Sequence, residues 1–207
     1  MTIKIPFLGQ AYASRSPILA SQTAINIYPE LTEGNSDEVG AFYGTPGLTA
    51  VFTGNGEVRG IRAAGGALYA VIGSVVYKLT ANYLPLVLGN LPNSSGRVSM
   101  TNNDVQLAIG HVNGWHYVPL SGNTILPVVN APLGSILTSQ DQYVIFTKND
   151  DGRFGITALN DLSSINPLDV ATAAGAPDGL IAVLSDHREV WLFGAETCEI
   201  WSNTGRG

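Results

Sequence analysis

Charged side chains are scarce in this sequence, and so are cysteines and long apolar runs. Asp, Glu, Lys and Arg make up 13% of the 207 residues, and the formal net charge is −6 at pH 7. The Lys and Arg residues are scattered singly along the chain. Because a groove that tracks nucleic-acid phosphates needs clustered basic side chains, we expect no direct sequence-specific binding of nucleic acid.

The single cysteine, Cys198, excludes an intrachain disulfide and a zinc site built from several thiolates. We interpret Cys198 as a small buried strand residue. The N-terminus lacks the apolar core and cleavage site of a signal peptide, and no apolar run approaches the roughly 18 residues that span a bilayer. We therefore expect a protein that is made in the cytoplasm, or assembled there into a larger structure, and that does not bind membranes.

Glycine is plentiful, with 24 residues, and a glycine ends three of the four copies of a repeated apolar stretch. Four copies begin 37, 37 and 47 residues apart, at residues 68–73, 105–110, 142–147 and 189–194. This period is near the roughly 40 to 45 residues of a four-stranded propeller blade. The sequence therefore predicts an all-β fold, a β-propeller with four recognisable blade-like repeats that stand alone or belong to a larger propeller.

Each repeat consists of a strand, a turn, an apolar middle strand, a second turn and a third strand. The predicted strands are residues 58–63, 68–72 and 75–79, then 97–101, 105–109 and 115–120, then 135–138, 143–147 and 154–157, and finally 180–184, 190–193 and 198–202. Gly65-Gly66 and Asn113-Gly114 are predicted hairpin turns because these residue types tolerate positive φ. Middle strands such as residues 143–146 are apolar on both sides, which is typical of a blade packed between two neighbours.

The repeat does not cover the whole chain. Residues 1–45 are predicted to form an extended N-terminal arm, and residues 46–207 are predicted to form the propeller blades. The longer spacing before the fourth repeat indicates an insertion at residues 160–178, which holds at most a turn or two of helix. Insertions of this kind map to one face of a propeller, often the binding face.

No residue pattern in the sequence indicates catalysis or a cofactor, so we expect neither an enzyme nor a bound metal. Asp150-Asp151 is interpreted as a hairpin turn, with a cation site as the less favoured alternative, since the ligand spacing of a calcium loop is missing. His111 and His116 flank one hairpin without an evident third metal ligand, and we interpret them as polar decoration. No serine lies in the G-x-S-x-G pattern of a nucleophile elbow.

The three tryptophans, Trp115, Trp191 and Trp201, lie in predicted strands. We expect them to pack within or between blades. An aromatic cage for a sugar or a methylated lysine is the alternative.

Two blocks of the sequence resemble the head-completion or tail-hub proteins of short-tailed phages, the packaged-DNA stabilization family. The first block comprises Arg15-Ser16, Gln22, residues 25–30 with Asn26, Tyr28, Pro29 and Glu30, and residues 45–48 with Pro46 and Gly47. The second comprises Asn160-Asp161, Leu168-Asp169, Ala173, Pro177-Asp178, residues 189–194 with Trp191, and residues 199–205 with Trp201. Family members continue with further blades, so we expect this chain to be an N-terminal fragment, with a shorter relative of the family as the alternative.

The resemblance implies a structural virion protein of the tail hub or head–tail connector. Such a protein retains packaged DNA as a mechanical plug and serves as an assembly platform for tail components. The implied partners are other phage tail and connector proteins and, at full length, like copies in a ring. The implied location is the virion tail, after assembly in the host cytoplasm.

The residues that carry the resemblance are also the candidate assembly residues. They are Arg15, Asn26, Tyr28, Pro29, Glu30, Pro46, Gly47, Asp178, Trp191 and Trp201. The alternative function is a carbohydrate-binding or glycan-cleaving propeller of a tail or receptor-binding component. That function requires carboxylates or aromatic side chains that converge at the central channel or on one loop face.

Overall fold

The computed structural model describes residues 26–31, 40–148, 151–173, 175 and 178–202, and every regular element within these ranges is a β-strand. The chain divides into two compact units, Met1–Ala50 and Val51–Gly207. In the first unit, β1 (Ile27–Leu31) pairs with β2 (Gly40–Gly44) in an antiparallel hairpin. The other described strands lie in the second unit.

Four antiparallel sheets follow one another along the second unit, each made of strands that are consecutive in sequence. The first contains β3 (Val58–Ala64), β4 (Ala67–Ile72), β5 (Val75–Leu79) and β6 (Pro85–Asn90). The second contains β7 (Ser99–Asn102), β8 (Gln106–His111), β9 (Gly114–Pro119) and β10 (Leu126–Pro127). The third contains β11 (Leu137–Gln140), β12 (Tyr143–Thr147), β13 (Arg153–Ile156) and β14 (Val170–Thr172). The fourth contains the described strands β15 (Leu180–Asp186), β16 (Glu189–Gly194) and β17 (Cys198–Ser202).

Three of the four sheets close their first hairpin with the same kind of two-residue turn. These turns are Gly65-Gly66, Asp141-Gln142 and His187-Arg188, and both residues of each have positive φ. This is the turn geometry whose twist matches that of the flanking strands. In the second sheet the corresponding turn is longer, and the side-chain oxygen of Asn103 accepts hydrogen bonds from the backbone N–H groups of Val105 and Gln106.

Apolar cores lie between successive sheets because the middle strands are apolar on both faces. On β8, Leu107 and Ile109 belong to the core shared with the first sheet, whereas Ala108 belongs to the core shared with the third. On β12, Phe146 packs toward the second sheet and Ile145 toward the fourth. Alternate residues of one strand therefore hold two neighbouring sheets.

The first strands of the four sheets, β3, β7, β11 and β15, lie side by side in that order. The hydroxyl of Thr101 donates to that of Ser139 at 3.0 Å, and the Ser185 N–H donates to the Thr138 hydroxyl at 3.1 Å. These strands surround a cavity of about 720 Å³ whose lining includes residues of all four sheets. Sheets stacked radially around a central cavity are propeller blades. The prediction of an all-β propeller is therefore confirmed.

The blades differ from the sequence prediction at their outer edges. The three predicted strands of each repeat are present, with ends that shift by at most two residues, but the outer strands β6, β10 and β14 are not predicted. Strand β14 lies within the predicted insertion at residues 160–178, and no helix lies in the described part of that segment. The segment therefore supplies a blade strand as well as a loop.

The prediction that Cys198 is buried is wrong, because its side chain is exposed. Cys198 begins β17, which pairs only with β16 among the described strands. An edge strand is covered less than a middle strand, so a small apolar residue in it is not necessarily buried.

Candidate functional site

The arm hairpin, formed by β1 and β2, exposes four large side chains in the described part of the first unit: Ile27, Tyr28, Phe42 and Tyr43. Tyr28 and Tyr43 lie directly opposite each other in the ladder, and their stacked ring centroids are 5.8 Å apart. An isolated two-stranded hairpin is only marginally stable in water. Covering the exposed aromatic pair with another apolar surface would therefore stabilise the hairpin.

Asn26 closes the base of the arm hairpin. The backbone N–H and the hydroxyl of Thr45 donate to the carbonyl oxygen of Asn26 at 2.9 and 3.3 Å. Asn26 has a φ of 56°, a left-handed conformation that asparagine adopts more readily than most residues. Pro46 and Gly47 follow in an exposed segment without regular structure. The motif residue Asn26 therefore shapes the hairpin.

The structure describes only some of the other candidate assembly residues in the arm. Arg15 lies outside the described residues. Pro29 and Glu30 lie in β1, where their backbones pair with Phe42 and Ala41.

Asp178 organises the turn between β16 and β17. Its carboxylate accepts hydrogen bonds from the backbone N–H groups of Glu196 and Thr197 at 2.9 and 3.0 Å, and from the Thr197 hydroxyl at 3.0 Å. The hydrogen bond from Glu196 is the main cause of the lowered pKa of Asp178, and the Thr197 groups add to it. A side chain on Gly194 would collide with this carboxylate. Asp178 therefore joins the segment that leads into the fourth blade to the turn between β16 and β17.

Trp191 and Trp201 lie on opposite faces of the fourth blade. Trp191 pairs with Ile200 across the ladder, and Trp201 pairs with Val190, so the two indoles point away from each other. The Trp201 ring makes an edge contact with Phe154, with 5.0 Å between centroids. These two tryptophans therefore do not converge on one aromatic cage.

Trp115 lies in the core between the second and third blades, as expected of a packing residue. It is 2% exposed, and its ring makes an edge contact with Phe146 at a centroid distance of 5.0 Å. Trp115 therefore packs between blades.

A cationic side chain lines the central cavity, and the sequence does not single it out. Arg59 is only 5% exposed. Its guanidinium donates to three backbone carbonyls, those of Gly73 at 2.9 Å, Asn93 at 2.7 Å and Gly96 at 2.6 Å. Burial lowers the pKa of Arg59, and the nearby Glu57 opposes this shift. Arg59 therefore joins the first blade to the segment that leads into the second.

Arg97 lines the same cavity. It is exposed, and it makes no hydrogen bond or ion pair with any residue that the structure describes. Arg59 and Arg97 are separated by about one blade repeat in sequence, and both contribute to the lining of the same cavity. A search for like charges spaced by the repeat period would have found this pair.

His111 and His116 are in contact, but His111 is not the polar decoration that the sequence suggests. His111 is 2% exposed, and its Nε2 lies 2.9 Å from Nδ1 of His116. Because the backbone N–H of Asn113 donates to Nδ1 of His111, the His111 proton belongs on Nε2. Burial is the main reason that the pKa of His111 falls to about 4, and His116 and Arg59 lower it further.

The described residues contain no group of three or more His, Cys, Asp or Glu side chains that would hold a metal ion. Asp151 forms a hydrogen bond and an ion pair with Arg153, which lower the pKa of the aspartate. Asp150 lies outside the described residues.

Within the part of the chain that the structure covers, no helix is long and apolar enough to cross a membrane.

Comparison with known families matches almost the whole chain to one of them. Residues 2–207 match the Phage_stabilise family, described as the bacteriophage P22 Gp10 β-propeller. The tail hub protein gp10 of Salmonella phage P22 is 30% identical over 174 residues, which cover 77% of this chain and 35% of that protein. This chain thus spans about a third of the length of the curated relative that it matches.

Solved structures with low sequence identity share the fold. The computationally designed Ika4 protein has a TM-score of 0.57 at 11% identity, over 76% of this chain and 99% of that one. Virginiamycin B lyase from Staphylococcus aureus has a TM-score of 0.51 at 12% identity, over 86% of this chain and 64% of the lyase. At these identities the likeness concerns the fold alone.

Proposed function

This chain belongs to the Phage_stabilise family of the bacteriophage P22 Gp10 β-propeller, and we propose that it is a structural component of a phage tail hub. The observation that carries the proposal is the family match over residues 2–207 together with 30% identity to a tail hub protein. The location that follows is the virion tail, after assembly in the host cytoplasm.

We further propose that the protein helps to retain packaged DNA as a mechanical plug. The net charge of −6 disfavours extensive pairing with DNA phosphates, so retention would rest on contacts between proteins. The partners would be like copies and other tail and connector proteins. A ring of like copies arises when one surface of a subunit binds a different surface of the next and the rotation closes.

The arm hairpin is the best-supported assembly surface. Tyr28 and Tyr43 form an exposed stacked pair there, and Ile27 and Phe42 extend the apolar surface. Tyrosine supplies a large contact area at a low entropic cost, and aromatic residues are enriched at protein interfaces. Asp178 and Asn26 support this function indirectly, because each fixes a turn or hairpin.

The alternative of a carbohydrate-binding or glycan-cleaving propeller lacks the convergence that it requires. The described lining of the central cavity includes no aspartate or glutamate. Trp191 and Trp201 lie on opposite faces of the fourth blade. Neither a carboxylate pair nor an aromatic cage is therefore assembled at the cavity in the described residues.

The test of the hub function is an assembly experiment with the full-length protein. Purified protein is mixed with portal complexes, with and without their adaptor subunits, and the products are examined by electron microscopy. We expect a ring of the protein at the tail end of the portal–adaptor complex. Failure to bind, with folded protein and intact adaptor complexes, would remove the hub function.

A further inference from the structure

Two arginines contribute to the lining of the central cavity, although the protein as a whole is acidic. Arg59 and Arg97 contribute to its lining, and no aspartate or glutamate does so among the described residues. Arg59 is the second residue of β3, and Arg97 precedes β7 by two residues. Because the blades repeat the same strand order, the starts of their first strands lie at the same end of the cavity. Both arginines therefore lie at that end.

The guanidinium of Arg59 is held in place but is not fully satisfied. Nε and one terminal nitrogen donate to the three backbone carbonyls described above, whereas the other terminal nitrogen is buried and has no hydrogen-bond partner. The neighbouring carboxylate of Glu57 accepts a hydrogen bond from the N–H of Gly96 at 2.9 Å. A buried donor without a partner is costly, and a buried cation more so. The unpartnered nitrogen therefore favours a ligand that supplies a hydrogen-bond acceptor.

Arg97 is the second cation in the lining of the cavity. The Gly96 carbonyl accepts a hydrogen bond from Arg59, so Arg59 fixes the residue immediately before Arg97. The Arg97 side chain itself is exposed and unpaired within the described structure. The cavity lining therefore includes one hydrogen-bonded guanidinium with a spare donor and one guanidinium without a polar partner among the described residues.

We propose that this end of the central cavity binds a phosphate-type oxyanion between Arg59 and Arg97. The unpartnered terminal nitrogen of Arg59 would donate to one phosphate oxygen, and the unpaired guanidinium of Arg97 would form two parallel hydrogen bonds with the others. The cavity, at about 720 Å³, is larger than a single oxyanion. The cavity therefore has room for either the free inorganic ion or a phosphate group that is part of a larger ester.

The primary test measures binding of inorganic phosphate to the full chain by isothermal titration calorimetry and by amide chemical shifts. We expect saturable binding by the unmodified protein, with shifts at residues around Arg59 and Arg97. Arg97→Gln should weaken binding about tenfold, since a hydrogen bond to a charged group contributes about 1.5 kcal/mol or more. Arg97 is exposed and makes no side-chain hydrogen bond or ion pair with a described residue, so this variant should keep its fold and its unfolding temperature.

The matched control is Arg188→Gln, which removes one exposed positive charge on the first hairpin turn of the fourth blade. Its affinity for phosphate should equal that of the unmodified protein. Arg59→Lys keeps the positive charge but replaces the planar guanidinium with an ammonium group, and it should also weaken binding. If Arg59→Lys fails to fold, the comparison of Arg97→Gln with Arg188→Gln decides the outcome alone.

Two results would overturn the proposal. One is the absence of saturable phosphate binding at concentrations up to about 20 mM, well above a millimolar dissociation constant. The other is equal affinity in the unmodified protein and Arg97→Gln. A 5′-phosphorylated dinucleotide, compared with its unphosphorylated form, distinguishes the sources: Arg97-dependent binding of the ester supports a nucleic-acid end, and binding of free phosphate alone supports the inorganic ion.

Discussion

The imidazole of His111 lies in a buried position where its neutral form is favoured. Burial, the contact with His116 and the nearby guanidinium of Arg59 together lower its pKa from 6.5 to about 4. An unfolded chain would keep a histidine pKa near its usual value. Between these two values the unfolded chain binds more protons than the folded protein, so the free energy of unfolding depends on pH.

The first prediction concerns this pH dependence. The contribution of His111 should be fully present above pH 6.5 and should be lost as the pH falls toward about 4, by an amount on the order of 2 kcal/mol. In His111→Gln this contribution is absent, so acidification should reduce its free energy of unfolding less. Urea unfolding at about pH 7.5 and about pH 4.5 measures the difference, and acid effects of the carboxylates cancel between the two proteins.

His187→Gln is the control, because His187 is exposed and its pKa is raised by its hydrogen bond and ion pair with Asp186. Its contribution has the opposite sign: it is present below the unfolded pKa and is lost as the pH rises through the folded value. Equal losses on acidification in His111→Gln and the unmodified protein would contradict the assignment.

Single residues were the least predictable part of the molecule from sequence. A histidine at a strand end has no neighbours in sequence that reveal burial, and the sequence analysis assigned His111 to the surface. Arg59 and Arg97 are isolated charges in the sequence, and only the stacking of blades brings them to one cavity. The aromatic pair Tyr28 and Tyr43 depends on a strand register that the arm sequence does not define.

At the scale of strands, the inner three strands of each blade were predictable because apolar periodicity and turn chemistry agree. Glycine and asparagine mark several turns, and the middle strands are apolar on both faces. The outer strands lack both signals. Strand β6 has exposed residues at four of its six positions, and β10 has two residues, so neither carries a clear burial pattern.

A close contact inside the third blade yields the second prediction. Gly155 on β13 lies opposite Phe146 on β12, and an added Cβ would collide with the Phe146 ring and come within 2.7 Å of the Asp169 carbonyl oxygen. Phe146 is fully buried against Trp115 and has little room to move. Gly155→Ala should therefore lower the free energy of unfolding by about 2 kcal/mol through overpacking.

Gly122→Ala is the matched control in the same unit. An added Cβ there would meet only ordinary contacts, at 3.4 Å or more, with Pro119. Its free energy of unfolding should be unchanged or slightly raised, since alanine reduces the entropy of the unfolded chain. Denaturant midpoints compare the two variants, and a loss of the same size in both would show that the Phe146 contact is unimportant.

At the scale of the whole molecule, we propose that assembly depends on the arm hairpin, whereas stability depends on the blade cores. The propeller cores lie between successive blades and are built from middle strands. The arm hairpin belongs to the other compact unit and contributes its aromatic residues to the surface. A change in the hairpin is therefore expected to affect association without unfolding the blades.

The last prediction separates these two properties with the double variant Tyr28→Ser and Tyr43→Ser. Loss of two interface tyrosines should weaken association by at least about 2 kcal/mol, or roughly thirtyfold in the dissociation constant. The unfolding temperature of the blades, measured by calorimetry, should stay unchanged because neither tyrosine lies in a blade core. Mass photometry of the full-length protein, alone and with portal–adaptor complexes, measures the association.

Tyr83→Ser, at an exposed position between β5 and β6, is the control and should assemble normally. Normal assembly of the double variant would exclude the arm hairpin as the assembly surface, because a stacked aromatic pair central to an interface is not replaceable by serine.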